Sequence, residues 1–247
     1  MNKNNLKSIE LYKVNDSTDS LIKPKTAIFD LPFRIALVGR SGSGKTSMLV
    51  NLVASPFFYG NDFDGEDIFI ISGSLENDEK IKKLIKYKEI PDENVFNRMN
   101  EEQIQVLYDF IKEAYKEDRD EKRTPPHRLI IFDDVSFSGG LKGKEFGVVS
   151  EMVCNCRKLL VSLIFTAQKY TQLSTTVRTN LTGAIFYNMN NKELDLIETD
   201  WDYGTNKKVF REAFRLATHE NYDFFVVNLS NPRSDIYSSN FQHYIDV

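Results

Sequence analysis

The sequence predicts an α/β fold, a three-layer sandwich with a mostly parallel central sheet. Short apolar runs alternate with segments of helical period, which is the pattern of strands covered by helices on both faces. Hydrophobic residues make up 41% of the 247-residue chain, enough for one sizeable core. We expect an N-terminal arm over residues 1–30, an α/β domain over 31–230 and a C-terminal tail over 231–247.

The predicted elements follow from apolar runs and capping signals. Asn100 and Gln103 resemble a capping box before an amphipathic helix that carries Ile104 to Ile111. The charged stretch Glu117–Pro126 ends in two prolines, so we expect a solvated loop there. The strands are predicted at Phe33–Val38, Asp67–Ser72, Leu129–Phe132, Ser162–Thr166, Ala184–Tyr187 and Phe224–Leu229, and further helices at Thr46–Val53, around Ile81–Ile85, and at Phe146–Leu160, Asn191–Glu198 and Lys207–Leu216.

A phosphate-binding loop follows the first strand. The pattern G-x-x-x-x-G-K-[ST] predicts an anion site built from backbone N–H groups and the dipole of the next helix. In such loops the lysine reaches the β- and γ-phosphates and the Ser/Thr hydroxyl binds Mg²⁺. We therefore expect ATP and Mg²⁺ as cofactors. The loop consists of Gly39, Arg40, Ser41, Gly42, Ser43, Gly44, Lys45 and Thr46.

Two carboxylates end the third predicted strand. In phosphate-loop enzymes such a strand lies near the loop, and its terminal Asp holds a water on Mg²⁺. We assign that role to Asp133, and to Asp134 the orientation of the attacking water. A plain solvated turn is the alternative for this pair. A GTPase is disfavoured, because Leu194 replaces the Asp of a guanine reader in Asn191-Lys192-Glu193-Leu194, and a nucleotide kinase would need an arginine-rich lid.

An amide follows the Ser162–Thr166 strand. Enzymes that hydrolyse ATP with an added strand between the two motif strands place a polar side chain at this strand's tip, where it senses the γ-phosphate or the attacking water. We assign this role to Gln168; an ordinary exposed loop residue is the alternative. The aromatic residues in general are interpreted as core rather than as stacking surfaces.

The segment around Gln168 resembles a known superfamily. Thr166-Ala167-Gln168-Lys169-Tyr170, followed by Val177-Arg178-Thr179-Asn180, is similar to the third motif region of the FtsK–HerA DNA-pumping ATPases. With the acidic pair and the compact length, the chain resembles the poxvirus-type genome-packaging ATPases of large DNA viruses and virophages over roughly residues 33–190. Many relatives run Thr straight into Gln, whereas Ala167 intervenes here, which leaves the register of the tip open by one residue.

The resemblance implies a RecA-like ATPase with an added strand that pumps double-stranded DNA into a preformed capsid. It implies a homo-oligomeric ring, a pentamer or hexamer, with a capsid or portal-vertex partner and a place in the host cytoplasm. A neighbouring subunit would supply an arginine finger. Arg178 is the first candidate and Arg157 the second, followed by Arg40, which lies inside the phosphate loop and could act in cis; a surface salt bridge is the alternative for each. The alternatives are a HerA-like helicase or translocase and a small-molecule phosphotransferase or regulatory switch.

Composition limits the mode of DNA contact. The formal net charge of −4 argues against a surface that coats nucleic acid throughout. The loop Ser136–Glu145 combines three glycines with Lys142 and Lys144 directly after the acidic pair, so we expect it to touch DNA phosphates; a plain surface loop is the alternative. No membrane-spanning segment is expected, because no apolar run reaches the required length.

Overall fold

The computed structural model describes residues 28–134, 147–203 and 207–245. These residues form one nine-stranded sheet with the strand order β3-β2-β4-β5-β1-β6-β7-β8-β9. Neighbouring strands from β3 to β6 are parallel, and β7, β8 and β9 continue the sheet as antiparallel strands. The strands are β1 (Arg34–Val38), β2 (Ile68–Ser72), β3 (Val95–Phe96), β4 (Arg128–Asp133), β5 (Val161–Ala167), β6 (Gly183–Tyr187), β7 (Phe224–Asn228), β8 (Tyr237–Ser239) and β9 (His243–Tyr244).

Helices cover both faces of the sheet. Alternate residues of β1 point to opposite faces of the sheet. Ile35 and Leu37 belong to the core on the face covered by the first two helices, and Ala36 and Val38 belong to the core on the face covered by the remaining helices. The predicted three-layer α/β sandwich is therefore confirmed. The helices are α1 (Lys45–Ala54), α2 (Glu79–Lys88), α3 (Glu101–Asp120), α4 (Gly147–Asn155), α5 (Thr175–Asn180), α6 (Asn191–Trp201) and α7 (Lys207–Ala217).

Helix α3 is longer than the sequence indicated. Asn100 caps it as expected, since the Asn100 side chain accepts from the Gln103 N–H at 3.1 Å. The helix then continues to Asp120, so the prediction of a loop from Glu117 onward was wrong for its first four residues. Charged residues on an exposed helical end are solvated as well as they are in a loop, and composition alone does not separate the two cases.

Both chain ends of the described region contribute to the sheet and its core. Phe29 lies in the segment that we assigned to the arm, yet it is fully buried, and its N–H and C=O both bond to the Tyr59 hydroxyl at 2.7 and 2.8 Å. Strands β8 and β9 lie in the segment that we assigned to the tail and extend the antiparallel edge. None of the helices in the described part of the chain has the length and apolar character needed to cross a bilayer.

The strand order brings the predicted motifs together. Strand β5 lies between β1, which leads into the phosphate loop, and β4, which ends in the acidic pair. This is the added strand that the sequence predicted. Because β4, β5, β1 and β6 are parallel, their carboxyl ends meet at one edge, and the functional site forms there.

Candidate nucleotide-binding site

The phosphate loop wraps the N-terminus of α1. Gly44 precedes the helix with a φ of 103°, a left-handed conformation that favours glycine. A Cβ on Gly39 would lie 2.7 Å from both Ser43 Oγ and Tyr187 Cβ, so the loop could not close over a larger residue. The first turn of α1 carries no acidic residue, which leaves the positive end of the helix dipole available to an anion.

Lys45 lies across the loop. Its Nζ donates to the carbonyl oxygens of Gly39 and Arg40 at 2.7 and 3.0 Å. Burial lowers the pKa of Lys45, and the nearby charges of Asp134 and Asp133 oppose that shift. The ammonium group is thus positioned between the loop and the two carboxylates, where it can neutralise phosphate charge.

Asp133 is buried and held by hydroxyl groups. Thr166 Oγ1 donates to Asp133 Oδ1 at 2.7 Å, and Ser72 Oγ donates to Asp133 Oδ2 at 2.9 Å. Burial raises the pKa of Asp133, and these two hydrogen bonds partly offset the shift. Ser72 is the partner of Asp133 in the parallel register of β2 and β4, which explains why their side chains meet.

Asp134 turns away from the strand that ends at Asp133. Its φ of 48° is left-handed, a region that Asp tolerates better than most residues. The Asp134 N–H donates to Thr166 Oγ1 at 2.7 Å, so one hydroxyl fixes both members of the pair. Gln168 Nε2 donates to Asp134 Oδ1 at 3.3 Å. The tip of β5 therefore presents two polar residues, Thr166 to Asp133 and Gln168 to Asp134, because residues two apart share a face.

These groups line one cavity of about 890 Å³. It extends from the acidic pair over the phosphate loop to aromatic residues at the ends of β6 and β7. On its other side Lys80 Nζ donates to Ser47 Oγ at 2.6 Å. The lining residues include Ser41, Gly42, Gly44, Lys45, Thr46, Asp133, Asp134, Thr166, Gln168, Tyr187, Tyr222 and Phe224.

Thr46 and Asp133 are the oxygen donors that fit Mg²⁺. Carboxylate and hydroxyl oxygens suit this hard cation, which commonly takes one or two protein groups and completes its shell with phosphates and water. Within the described residues, no group of three or more His, Cys, Asp and Glu side chains could hold a metal by itself.

The three candidate fingers occupy different settings. Arg178 is 14% exposed and pairs with Asp200, with Nη1 and Oδ2 2.6 Å apart. Its guanidinium also lies 5.2 Å from the centre of the Tyr170 ring, and Tyr170 donates its hydroxyl to the same Asp200 oxygen. Arg157, in the 3₁₀ helix Cys156–Leu159, and Arg40, in the phosphate loop, are exposed. The Ser136–Glu145 segment that we predicted to touch DNA lies outside the described residues.

Sequence reasoning missed the supporting residues of the site. Ser72 and Thr166 hold Asp133, yet only their positions at strand tips signalled a role. Tyr187 and Tyr222 line the cavity although we interpreted the aromatic residues as core. Tyr187 is buried as expected, whereas Tyr222 is exposed.

The fold and this site together define a phosphate-loop ATPase with an added strand between its two motif strands. The chain belongs to the Poxvirus A32 protein family, because the sequence profile of that family matches residues 24–231. No curated protein matches the chain significantly.

Solved structures share the fold at low sequence identity. The genome packaging NTPase B204 from Sulfolobus turreted icosahedral virus 2, in complex with AMP, is 15% identical with a TM-score of 0.58, and the match covers 87% of this chain and 98% of B204. B204 from Sulfolobus turreted icosahedral virus, a DNA-packaging ATPase, is 14% identical with a TM-score of 0.57 over 88% of this chain and 98% of that one. The cytoplasmic domain of the type VII secretion ATPase EccC of Thermomonospora curvata is 11% identical with a TM-score of 0.55. That match covers 87% of this chain and 24% of the EccC chain.

Proposed function

We propose that this chain is the ATPase of a viral DNA-packaging motor, which hydrolyses ATP to move double-stranded DNA into a preformed capsid. The observation that carries the proposal is the position of Asp134 and Gln168 opposite the phosphate loop, at the tips of adjacent strands in a chain of the Poxvirus A32 family. B204, which shares the fold, is a genome packaging NTPase whose structures have been solved in complex with AMP, AMPPCP and ATP-γS.

Each residue of the site has a defined part in hydrolysis. The loop N–H groups and Lys45 bind the phosphates, and Thr46 and Asp133 would hold Mg²⁺, which neutralises charge on the β- and γ-phosphates. Asp134 accepts a hydrogen bond from the attacking water and aligns it with the γ-phosphorus. Gln168 fixes the Asp134 carboxylate and senses loss of the γ-phosphate.

Steady-state hydrolysis with and without double-stranded DNA tests the proposal. Wild-type protein should hydrolyse Mg–ATP without any phosphate acceptor, and DNA should raise the rate. The Lys45→Ala variant should lose phosphate binding and hydrolysis. If Lys45→Ala retained full activity, the assignment of the phosphate-binding site would be wrong. If hydrolysis required a small-molecule acceptor and ignored DNA, a phosphotransferase would replace the packaging ATPase.

We further propose a homo-oligomeric ring in which a neighbour's arginine completes the site. Arg157 and Arg40 are exposed, whereas Arg178 is 14% exposed and pairs with Asp200. Subunit-mixing experiments with Arg157→Ala, Arg40→Ala and Arg178→Ala would assign the role. A finger variant should bind ATP in its own site, yet it should inactivate the wild-type neighbour whose site it faces.

The DNA and capsid contacts are proposed on the family membership. The loop Ser136–Glu145 is our candidate for phosphate contact through Lys142 and Lys144. Replacing both lysines by Gln should abolish DNA stimulation and leave basal hydrolysis intact, and a change in basal hydrolysis alone would contradict this assignment. We place the protein in the host cytoplasm with a capsid-vertex partner.

A further inference from the structure

Aromatic side chains form the end of the cavity that lies away from the acidic pair. Tyr187 ends β6 and Phe224 begins β7, and the two residues are partners in the antiparallel register. Antiparallel pairing brings the start of β7 to the same edge of the sheet as the phosphate loop. Tyr222 lies two residues before the start of β7 and lines the cavity with them.

The two tyrosines stand directly beside the N-terminus of α1. A Cβ placed on Gly44 would lie 3.4 Å from Tyr222 Cδ1 and 3.7 Å from Tyr187 Cε1. Both rings are therefore next to the backbone N–H groups that would bind phosphate. A ligand held at this helix end contacts these rings on the side that faces away from the acidic pair.

The strand order indicates how a nucleoside triphosphate would be oriented in the cavity. From the phosphate loop on β1, the acidic pair lies two strands away on β4, and Phe224 lies two strands away on β7 in the opposite direction. With strands about 4.8 Å apart, the two ends of the cavity are separated by roughly 19 Å. A triphosphate whose γ-phosphate faces Asp134, and whose other phosphates follow the loop toward β6, has its nucleoside beside the tyrosines.

Tyr222 and Tyr187 have different settings. Tyr187 is buried, and its ring centre lies 5.7 Å from that of Phe224. The Phe224 ring in turn meets the Phe241 ring edge to face, with the ring centres 5.0 Å apart. The rings of Tyr187, Phe224 and Phe241 therefore pack against one another. Tyr222 is 70% exposed at the cavity, so core packing does not explain its aromatic ring.

The backbone at Tyr222 is held in an unusual conformation. Its φ is 72°, which is rare for a bulky residue and persists only where neighbouring contacts impose it. Asp223 provides those contacts, since its carboxylate accepts from the Glu220 N–H at 3.2 Å and from Asn240 Nδ2 at 2.8 Å. Asn240 Oδ1 also accepts from the Phe224 N–H at 2.9 Å, so Asn240 bonds to the turn on both sides of the bond between Asp223 and Phe224. The turn thus holds the backbone at the position from which the Tyr222 ring reaches the cavity.

We propose that Tyr222 is the stacking surface for the base of the nucleoside triphosphate whose phosphates the loop binds. The inference rests on the proposed function and extends it from the phosphates to the base. Aromatic rings stack on any nucleobase, because each base presents a π-face, so this contact strengthens binding without selecting one base strongly.

Calorimetric titration of the full chain separates the base from the phosphates. The probes are Mg²⁺ with AMPPCP, and Mg²⁺ with inorganic tripolyphosphate, which has no base. Tyr222→Ala should weaken AMPPCP binding about tenfold, within the range for loss of one aromatic–base stack. Its affinity for tripolyphosphate should stay within twofold of wild type.

Two further variants serve as controls. Tyr222→Phe keeps the ring and should restore AMPPCP affinity to within about threefold of wild type. Tyr87→Ala removes a tyrosine that is 68% exposed on α2, outside the cavity, and should change neither affinity.

Three results would overturn the inference. Equal weakening of both probes in Tyr222→Ala would mean that the residue shapes the phosphate loop instead of holding the base. No change for either probe would mean that the base lies elsewhere. If wild-type protein bound tripolyphosphate but not AMPPCP, the loop would bind phosphate without a nucleotide, and the proposed function would fail together with the inference.

Discussion

The two ends of the cavity differ in chemistry and in how they are built. The acidic end, formed by Asp133, Asp134, Thr166 and Gln168, is polar, and hydrogen bonds of 2.7–3.3 Å connect these residues. The aromatic end, formed by Tyr187, Tyr222 and Phe224, is held by ring packing and by the braced turn before β7. We propose that the acidic end acts on the γ-phosphate and that the aromatic end contributes to binding alone.

This difference predicts that substitutions at the two ends will change different kinetic parameters. A group that acts on the reacting atoms lowers kcat, while a group that binds substrate and transition state equally raises KM.

The largest effect is expected from Asp134→Asn. Asn tolerates the left-handed backbone that this position needs and keeps the shape of the side chain, but it loses the carboxylate to which we assign the orientation of the water. The kcat for ATP hydrolysis should fall by about 10²- to 10⁴-fold, with the Kd for ATP changed little. A fall in affinity with unchanged kcat would place Asp134 in binding and remove the contrast between the two ends.

Thr166→Val should disrupt the acidic end without changing its charge. The Thr166 hydroxyl bonds to both Asp133 and the Asp134 N–H, and Val leaves both groups without that partner. The free energy of unfolding should fall by about 1–3 kcal/mol, and hydrolysis should fall with it. Denaturant titration measures the first effect. Thr166→Ser keeps the hydroxyl and should retain activity; loss of activity in Ser as well would assign the effect to packing.

Gln168→Ala tests the weaker contact to Asp134. Losing one hydrogen bond of 3.3 Å should reduce kcat roughly tenfold, equivalent to about 1.4 kcal/mol. ATP affinity should not change, because Gln168 touches the carboxylate rather than the loop. A kcat equal to that of wild type would show that Gln168 is an ordinary loop residue.

The smallest effect concerns the stability of the nucleotide-free protein. Burial raises the pKa of Asp133 in the folded protein above its pKa in the unfolded chain. As pH falls, the folded state therefore takes up a proton at this site before the unfolded state does. The ionised carboxylate therefore destabilises the fold at neutral pH. Asp133→Asn should unfold at a higher temperature than wild type at pH 7, and the gain should shrink as pH falls toward 4. A gain that did not vary with pH would contradict the charge explanation.

Contiguous sequence predicted the acidic end and the phosphate loop well. The loop residues Gly39–Thr46 and the strand that ends in Asp133 are local patterns, and the alternation of strands and helices predicted a sheet that brings them together. Very short strands such as β3 and β9 were missed, because two residues carry no measurable periodicity.

The aromatic end could not be predicted in the same way. Tyr222 reaches the cavity only because β7 pairs antiparallel with β6, an orientation that apolar runs do not encode. The setting of Arg178 likewise depends on Asp200, 22 residues away on α6. Sequence identified the residue types that carry chemistry, and the register of distant segments decided which of them meet.

The most direct test of the divided cavity is a crystal structure of Asp134→Asn with Mg²⁺ and ATP, in which slow hydrolysis preserves the substrate. The account predicts that the γ-phosphate lies between Lys45 and residue 134, and that the adenine ring stacks against Tyr222. An adenine bound away from Tyr222, or a γ-phosphate directed toward the tyrosines, would contradict it.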